Sequence, residues 1–438
     1  MSVVYRKDSG GGMTAVVAHT VGAINRFLFR QKRNYRVAVV RSAANSFLAN
    51  LTAQYDSIYT TALGAGSVEL GTVSSIGTGI GALISTPVGW LMDRYGIRKL
   101  YLLGMGLLAC AVLIYALAPR WEAIILAAIL MAIAMRLMGS GCSVICADSV
   151  GNEDRATAQN VCVTIASLLS MLAPLAAAPL VIAFGGLSVR GIRPLYGIRF
   201  GGYVLVFIFL FIWLREPQRT RPSAAVSETK PDFIEDFREL FRSSRPLKTW
   251  IAVSAFTWLP MAMTSPFFQL FAHEQKDADA YVLGAMSTAM ILMRVLFGIP
   301  LGRLADRIGR KKVIYMLTPL WYASFLLLVF GSGPVMLILA GALQTFYAIS
   351  SGATSAMTLE LVPVEQVGRW SGLLGLFRGL VTIPVPIIAG VIWRTWGPTY
   401  VFLIPLLLDL LIRVPLLSLI PETLKPCDSG ECDSVKGA

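Results

Sequence analysis

Twelve runs of about twenty apolar residues, separated by short polar connections, dominate this sequence. A run of roughly twenty residues is what an α-helix needs to cross the hydrocarbon core of a bilayer. A backbone inside lipid must satisfy its own hydrogen bonds, which leaves helices as the spanning structure for runs of this kind. In the first half the runs cover 37–62, 68–91, 99–118, 122–146, 156–184 and 201–214. In the second they cover 249–271, 280–302, 313–330, 334–359, 367–392 and 399–420. The expected fold class is therefore an all-α membrane protein of twelve transmembrane helices in two pseudo-symmetric six-helix halves.

Only 14% of the 438 residues are charged, where a soluble domain carries about 25%. The net charge of +13 would suggest nucleic acid in a soluble protein. Here the basic residues sit in the connections, where they suit anionic lipid, and no polar surface interleaves them with aromatics. Lipid is the expected partner and nucleic acid is not.

The runs divide the chain into a basic arm at 1–36, a first half at 37–214, a linker at 215–248, a second half at 249–420 and a tail at 421–438. In the linker, Phe233, Ile234, Phe237, Leu240 and Phe241 recur at helical spacing, which fits either a helix lying on the membrane surface or a plain tether. One set of connections holds Arg98, Lys99, Arg303, Lys311, Lys312 and the basic linker, while the opposite set is much poorer in Lys and Arg. The positive-inside rule then expects both termini and the linker in the cytoplasm of a multi-pass cell-membrane protein. The stretch Met13–Ala23 is followed by Arg26, Arg30, Lys32 and Arg33 rather than a small-residue cleavage site, so no signal peptide is expected.

One connection is written twice. Gly89-Trp90-Leu91-Met92-Asp93-Arg94-Tyr95-Gly96-Ile97-Arg98-Lys99 follows the second run, and Gly302-Arg303-Leu304-Ala305-Asp306-Arg307-Ile308-Gly309-Arg310-Lys311-Lys312 follows the eighth. The copies stand 213 residues apart, close to half the chain, which is the spacing of an internal structural repeat. The first glycine of each copy suits close helix approach and the second a tight turn. This duplicated loop resembles the cytoplasmic signature loop of the major facilitator superfamily, with Ile97 standing where the family has a basic residue. The resemblance implies secondary transport by alternating access. It also implies that Asp93, Arg94, Asp148 and Arg155 form one inner-gate cluster, and that Asp306, Arg307, Glu360 and Arg369 form another. Each cluster either closes the cytoplasmic side when the halves meet or braces its own half. Gly89, Gly96, Gly302 and Gly309 shape the loops that carry them.

Ionisable groups at membrane depth cost at least about 2.5–3.5 kcal/mol each, so they seek a cavity or a partner. On the first helix Arg41, Asn45, Thr52, Tyr55, Asp56 and Tyr59 share one face, which lines either a substrate cavity or a polar helix contact. Asp56 is the acid inside that helix and the natural proton carrier. Arg136 stands in Arg136-Leu137-Met138-Gly139-Ser140-Gly141, similar to the family's fourth-helix arginine followed by spaced glycines, which is linked with proton coupling; here the glycines come one residue early. Arg294, Gln344, Tyr347 and Arg378 are the candidates in the second half, and arginines near the midplane suit an anionic group or a local carbonyl. Asp409 and Arg413, four residues apart, are expected to pair with each other. Pro174 in the fifth helix and Pro384 and Pro386 in the eleventh mark expected bends. Trp258, Met261, Phe267 and Phe268 offer an apolar wall for a hydrophobic substrate.

No nucleophile with its base, no phosphate loop and no nucleotide domain is readable, so neither an enzyme nor an ATP-driven pump is expected. Cys427 and Cys432 lack partner ligands, and His19 and His273 stand alone, so neither metal nor cofactor is expected. The expected activity is proton-coupled efflux of small hydrophobic or drug-like compounds by a monomer. Uptake or exchange of a small anionic metabolite stands as a second reading, and a non-transporting receptor on the same fold as a third.

Overall fold

A computed structural model describes residues 30–31, 33–95, 97–150, 155–214, 245–360, 367–420 and 422. The side chains of 85–97, 140–149, 155–156, 245–249, 251–252, 359–360, 367–373 and 376 are outside that description. The surface-helix reading of the linker and the Cys427/Cys432 tail therefore fall outside it. So do the side chains of Asp93, Arg94, Asp148, Arg155, Glu360 and Arg369, together with Gly96 and the surroundings of Gly89.

The first half is built from α1a (Arg33–Thr52), α1b (Asp56–Ala62), α2 (Ser67–Tyr95), α3 (Ile97–Leu117), α4 (Glu122–Ser149), α5a (Arg155–Ser170), α5b (Leu172–Ala183) and α6 (Val189–Trp213). The second repeats the plan with α7a (Arg245–Thr264), α7b (Phe268–Lys276), α8 (Ala280–Ile308), α9 (Arg310–Phe330), α10 (Pro334–Glu360), α11a (Val367–Thr382), α11b (Val385–Thr395) and α12 (Tyr400–Ser418). The middle turn of α12, Asp409–Arg413, is π-helical. No strand occurs among the described residues. Among the described residues ten helical segments are long and apolar enough to cross a membrane, and α1 and α7, which are more polar, are outside that group.

The repeat extends to where helices break. The first helix of each half stops and restarts around one residue of matching conformation: Tyr55 at φ −107°, ψ −8° and Phe267 at φ −104°, ψ −11°. At both sites a three-residue turn takes over, from Tyr55 to the Thr52 carbonyl and from Phe267 to the Thr264 carbonyl. The fifth helix of each half is divided as well, at Met171 and at Ile383-Pro384. Proline lacks the N–H that would continue the ladder, so Pro174, Pro266, Pro384 and Pro386 account for three of these breaks. The break at Ala53–Tyr55 has neither proline nor glycine, and its cause is tertiary.

The sixth helix differs from the apolar run at 201–214. It starts at Val189 and carries Arg193 and Arg199 inside the helix. Hydropathy placed them in a connection; contacts with Tyr59 and the Ala118 carbonyl for Arg193, and with Thr52 and Tyr203 for Arg199, keep them in the fold.

The halves meet along two seams, α2 with α11 and α5 with α8. The named contacts lie from the helix middles toward the end opposite the signature loops, called here the far end. The Ser67 hydroxyl donates to the Gly390 carbonyl at 2.9 Å, Thr288 to the Met171 carbonyl at 3.3 Å and Tyr55 to the Ala280 carbonyl at 3.4 Å. A Cβ at Gly71 would stand 2.2 Å from the Pro386 carbonyl oxygen, and one at Gly390 2.3 Å from that of Ser67. Only glycine lets these backbones touch.

Candidate functional site

Between the halves lies a cavity of about 690 Å³ walled by α1, α2, α3, α4 and α7, within the range of small-molecule sites. Asp56, Ser57, Ser74, Thr78, Met131, Met135, Arg136, Ser265 and Gln269 are on its wall. A second lobe of about 280 Å³ shares Ser74, Thr78, Arg136 and Ser265 with it and adds Trp258, Met261, Arg378 and Thr382. Both halves therefore contribute: Arg136 from α4 and Arg378 from α11a line this smaller lobe together. Gly81 on α2 lies against the Arg136 side chain, and a Cβ there would stand at ordinary contact distance, 3.5 Å from the Arg136 Nε. The Arg378 guanidinium stacks over the Trp258 ring at 4.5 Å, a cation–π contact that orients it without neutralising it. Among the described residues neither arginine has a carboxylate partner, and the Arg136 charge acts on Arg378.

Asp56 is half-buried at the start of α1b, with the cavity on one side and the α1–α3–α6 core on the other. Tyr196 donates to Asp56 Oδ1 at 2.6 Å. Arg199, 3% exposed, donates from a terminal nitrogen to the Thr52 hydroxyl at 2.6 Å and from Nε to Tyr203 at 3.4 Å. Tyr59 donates to the Tyr115 carbonyl at 2.8 Å and accepts from Arg193 Nε at 3.3 Å, while Arg193 also donates to the Ala118 carbonyl. The rings of Tyr59, Tyr115 and Tyr196 close the space behind Asp56, with centroids 4.9 Å apart for Tyr59–Tyr196 and for Tyr115–Tyr196. The polar stripe of α1 thus divides. Asp56 reaches the cavity, while Thr52, Tyr55 and Tyr59 are buried in helix contacts, and Asn45 keeps a buried Oδ1 without a hydrogen bond.

The second half has a corresponding network with a different balance. Asp409 and Arg413 form a two-point ion pair within α12, and both are buried, 2% and 4% exposed. Tyr322 donates to Asp409 at 2.6 Å and Arg413 to Thr318 at 3.1 Å. Gln344 accepts from Ser324 at 3.1 Å, and Tyr347 donates to the Thr257 carbonyl, so both sit in packed contacts and neither is on the wall of the two lobes described above. Arg294 lines a separate groove of about 370 Å³ between α8 and α10, together with Gly302, Asp306 and Arg310.

Of the signature loops, the second is described. Gly309 takes φ +108°, a conformation that favours glycine, and this ends α8 and opens α9 in one step. A Cβ at Gly302 would meet nothing within 4 Å, so close helix approach is not what that glycine serves in this conformation. Asp306 lies 3.6 Å from Arg310, and Arg307 ends α8 in its last turn. The group against the positive start of α9 is Glu422, whose carboxylate accepts from the backbone N–H of Arg310 and of Lys311, each at 3.2 Å. Lys311 answers by donating to the carbonyls of Ser418 and Ile420 at 3.0 and 2.7 Å. Sequence reading passed over both Glu422 and the Tyr196–Arg199–Tyr203 face. The spacing 196, 199, 203 on one helical face was the available signal for the latter.

The family model described as Major Facilitator Superfamily matches residues 37–293 and again 251–431. Over 107 residues the chain is 31% identical to the tetracycline resistance protein, class B, of Escherichia coli, a match covering 24% of this chain and 27% of that protein. The fold is similar to that of the nucleoside transporter NupG in its D323A mutant, with TM-score 0.73, 15% identity, and 89% of this chain and 100% of that one covered. It is also similar to a D-xylose–proton symporter, with TM-score 0.67, 13% identity and coverage of 89% and 98%. A bacterial homologue of the human lysosomal transporter Spinster matches with TM-score 0.63, 14% identity and coverage of 90% and 94%. At these identities the structural likeness is one of fold. Two halves built alike, apolar helices around a shared cavity and a family match over both halves lead to one conclusion: the chain belongs to the Major Facilitator Superfamily and is an integral, multi-pass membrane transporter.

Proposed function

We propose that the protein is a proton-coupled secondary transporter of small organic anions working by alternating access. The observation that carries this reading is the pair of arginines, Arg136 and Arg378, which reach one cavity from opposite halves without a carboxylate partner among the described residues. Like charges facing each other across a seam favour separation. A carboxylate or phosphate between them supplies charge-assisted hydrogen bonds to both halves and so favours closure around it. Trp258, Met131, Met135 and Met261 offer apolar surface to the rest of the substrate. Asp56, on the same wall, is the proposed proton carrier.

In this reading α1 and α7 complete a twelve-span topology with both termini and the linker cytoplasmic in a cell membrane, and the monomer is the working unit. The far-end contacts close the outside and the cavity serves the cytoplasmic side. The signature loops, with Asp93, Arg94, Asp148, Arg155, Asp306, Arg307, Glu360 and Arg369, are the proposed latches of the opposite state.

A second reading is export of hydrophobic compounds, favoured by the stretch of 31% identity shared with a tetracycline resistance protein. The test is uptake into proteoliposomes with and without an imposed pH gradient. The substrate panel is mono- and dicarboxylates, an organic phosphate, a nucleoside, a sugar and tetracycline. The proposal expects gradient-dependent movement of an anion that Arg136→Gln abolishes. Movement of tetracycline alone, unaffected by that substitution, would favour the second reading.

A further inference from the structure

The proposed proton site includes a cation that does not touch the cavity. Arg199 is buried in α6 behind Asp56, and its charge acts on the carboxylate. The two are not in direct ion-pair contact. Between them stand Thr52, whose hydroxyl takes the guanidinium at 2.6 Å, and Tyr196, whose hydroxyl donates to Asp56 at 2.6 Å. The second half shows the alternative arrangement. There Arg413 grips Asp409 at two points in one helix, and both side chains are enclosed. One half holds a finished ion pair and the other holds its two members one side chain apart, at a helix break that lacks proline and glycine.

We infer that Arg199 is the positioning residue that sets when Asp56 gains and loses its proton, acting through Thr52 and Tyr196 across the α1 break. This inference rests on the reading of Asp56 as the proton carrier. When Asp56 releases its proton to cavity water, the carboxylate gains one negative charge beside an uncompensated buried guanidinium. The short, unladdered turn Ala53–Tyr55 lets Thr52 and Asp56 shift toward Arg199. When the proton returns, Arg199 keeps Thr52 and Tyr203 as its partners and Asp56 relaxes toward the cavity.

The other groups facing Asp56 are accounted for by element. Thr52 and Tyr59 come from α1, Tyr115 from α3, Arg136 from α4 across the cavity, Tyr196, Arg199 and Tyr203 from α6, and Gln269 from α7b. Asp279, at the start of α8, acts on Tyr55 beside it. Residues 157–183 of α5 carry no carboxylate or cationic side chain. Arg199 is thus the cation in the core behind Asp56, with Arg193 turned away onto Tyr59 and Ala118.

The test needs no substrate, since its probe is the proton. Purified full-length protein in liposomes is titrated with buffer while infrared difference spectra follow the stretch of protonated carboxyl groups. Asp56→Asn identifies the band that belongs to Asp56. In Arg199→Gln that band is expected to titrate at higher pH by about one unit or more, because removing a nearby opposite charge favours the neutral acid. Tyr196→Phe is expected to move it in the same direction, and Arg199→Lys to keep it near the original position. If Arg199→Gln does not fold, Arg199→Lys and Tyr196→Phe against the unsubstituted protein carry the comparison. An Asp56 band that titrates alike in all variants overturns the role of Arg199 and leaves Asp56 as the carrier. Spectra that Asp56→Asn leaves unchanged overturn both.

Discussion

The hydroxyl of Tyr196 donates to a carboxylate oxygen of Asp56 at 2.6 Å, tying the acid at the break of the first helix to the sixth helix of the same half. This bond holds one face of the carboxyl in the core and leaves the other to the cavity. The site is therefore built as much by α6, which does not line the cavity, as by the helices that do.

The Asp409–Arg413 pair is a structural counterpart to this arrangement. Both members are enclosed, so removing one leaves an uncompensated buried charge at a cost of about 3–5 kcal/mol. Arg413→Leu is expected to lower the thermal unfolding temperature of the detergent-solubilised protein markedly, and Asp409→Leu with Arg413→Leu to recover part of it. Equal melting of the single and double variants would count against this view.

The seam glycines give a prediction about gating. Gly71→Val or Gly390→Val forces side chains into carbonyls 2.2–2.3 Å from the new Cβ. Overpacking of this kind costs about 1–3 kcal/mol, which is a roughly five- to hundredfold shift among conformers. Far-end cysteine probes are expected to become more reactive to impermeant thiol reagents, and transport to fall with it. Unchanged labelling would show that these contacts do not govern closure.

Tyr55 is next to Asp56 and reaches the Ala280 carbonyl across the seam at 3.4 Å. A typical net hydrogen bond contributes about 0.5–1.5 kcal/mol. Tyr55→Phe is therefore expected to shift the same labelling assay in the same direction as the glycine variants but less far, with the fold intact by circular dichroism.

The arginine pair predicts the binding phenotype. Losing one charge-assisted contact costs about 1.5–3 kcal/mol, so Arg136→Gln and Arg378→Gln should each weaken binding of the transported anion by about tenfold or more. Trp258→Ala should weaken it too, by releasing the Arg378 side chain. Ligand-induced thermal stabilisation reads all three, and an anion that stabilises Arg136→Gln and the unsubstituted protein equally would remove Arg136 from the site.

Much of the architecture was legible in the sequence because it follows from local rules: apolar runs give helices, and the loop carrying Asp306 and Gly309 repeats the one carrying Asp93 and Gly96. Asp56, Arg136 and Arg378 were legible as costly charges at membrane depth; Asp56 and Arg136 line the larger cavity, and Arg136 and Arg378 the smaller. Arg199 was not. Arg190, Arg193, Pro194 and Arg199 interrupt the hydropathy of α6, so the helix seemed to start at 201 and these arginines seemed to sit in a connection. Arg199 is buried against Thr52 and Tyr203, and half-buried Arg193 is held by Tyr59 and the Ala118 carbonyl; only the fold brings Thr52, Tyr59 and Ala118 to α6. The break at Ala53–Tyr55 was silent for the same reason, whereas Pro266 and Pro384 announce theirs. Arg294 shows the remaining limit: its depth was readable, but helix rotation, set by packing, turns it into the α8–α10 groove.

The central claim, that anion movement is driven through protonation of Asp56, is tested most directly by substrate-driven proton flux in proteoliposomes containing a pH-sensitive dye. The anion identified by the uptake panel is added with no imposed gradient. The account predicts a proton flux in the unsubstituted protein that disappears in Asp56→Asn while that variant still exchanges labelled for unlabelled anion. Proton flux of equal size in Asp56→Asn, or anion transport without any proton flux in the unsubstituted protein, would contradict it.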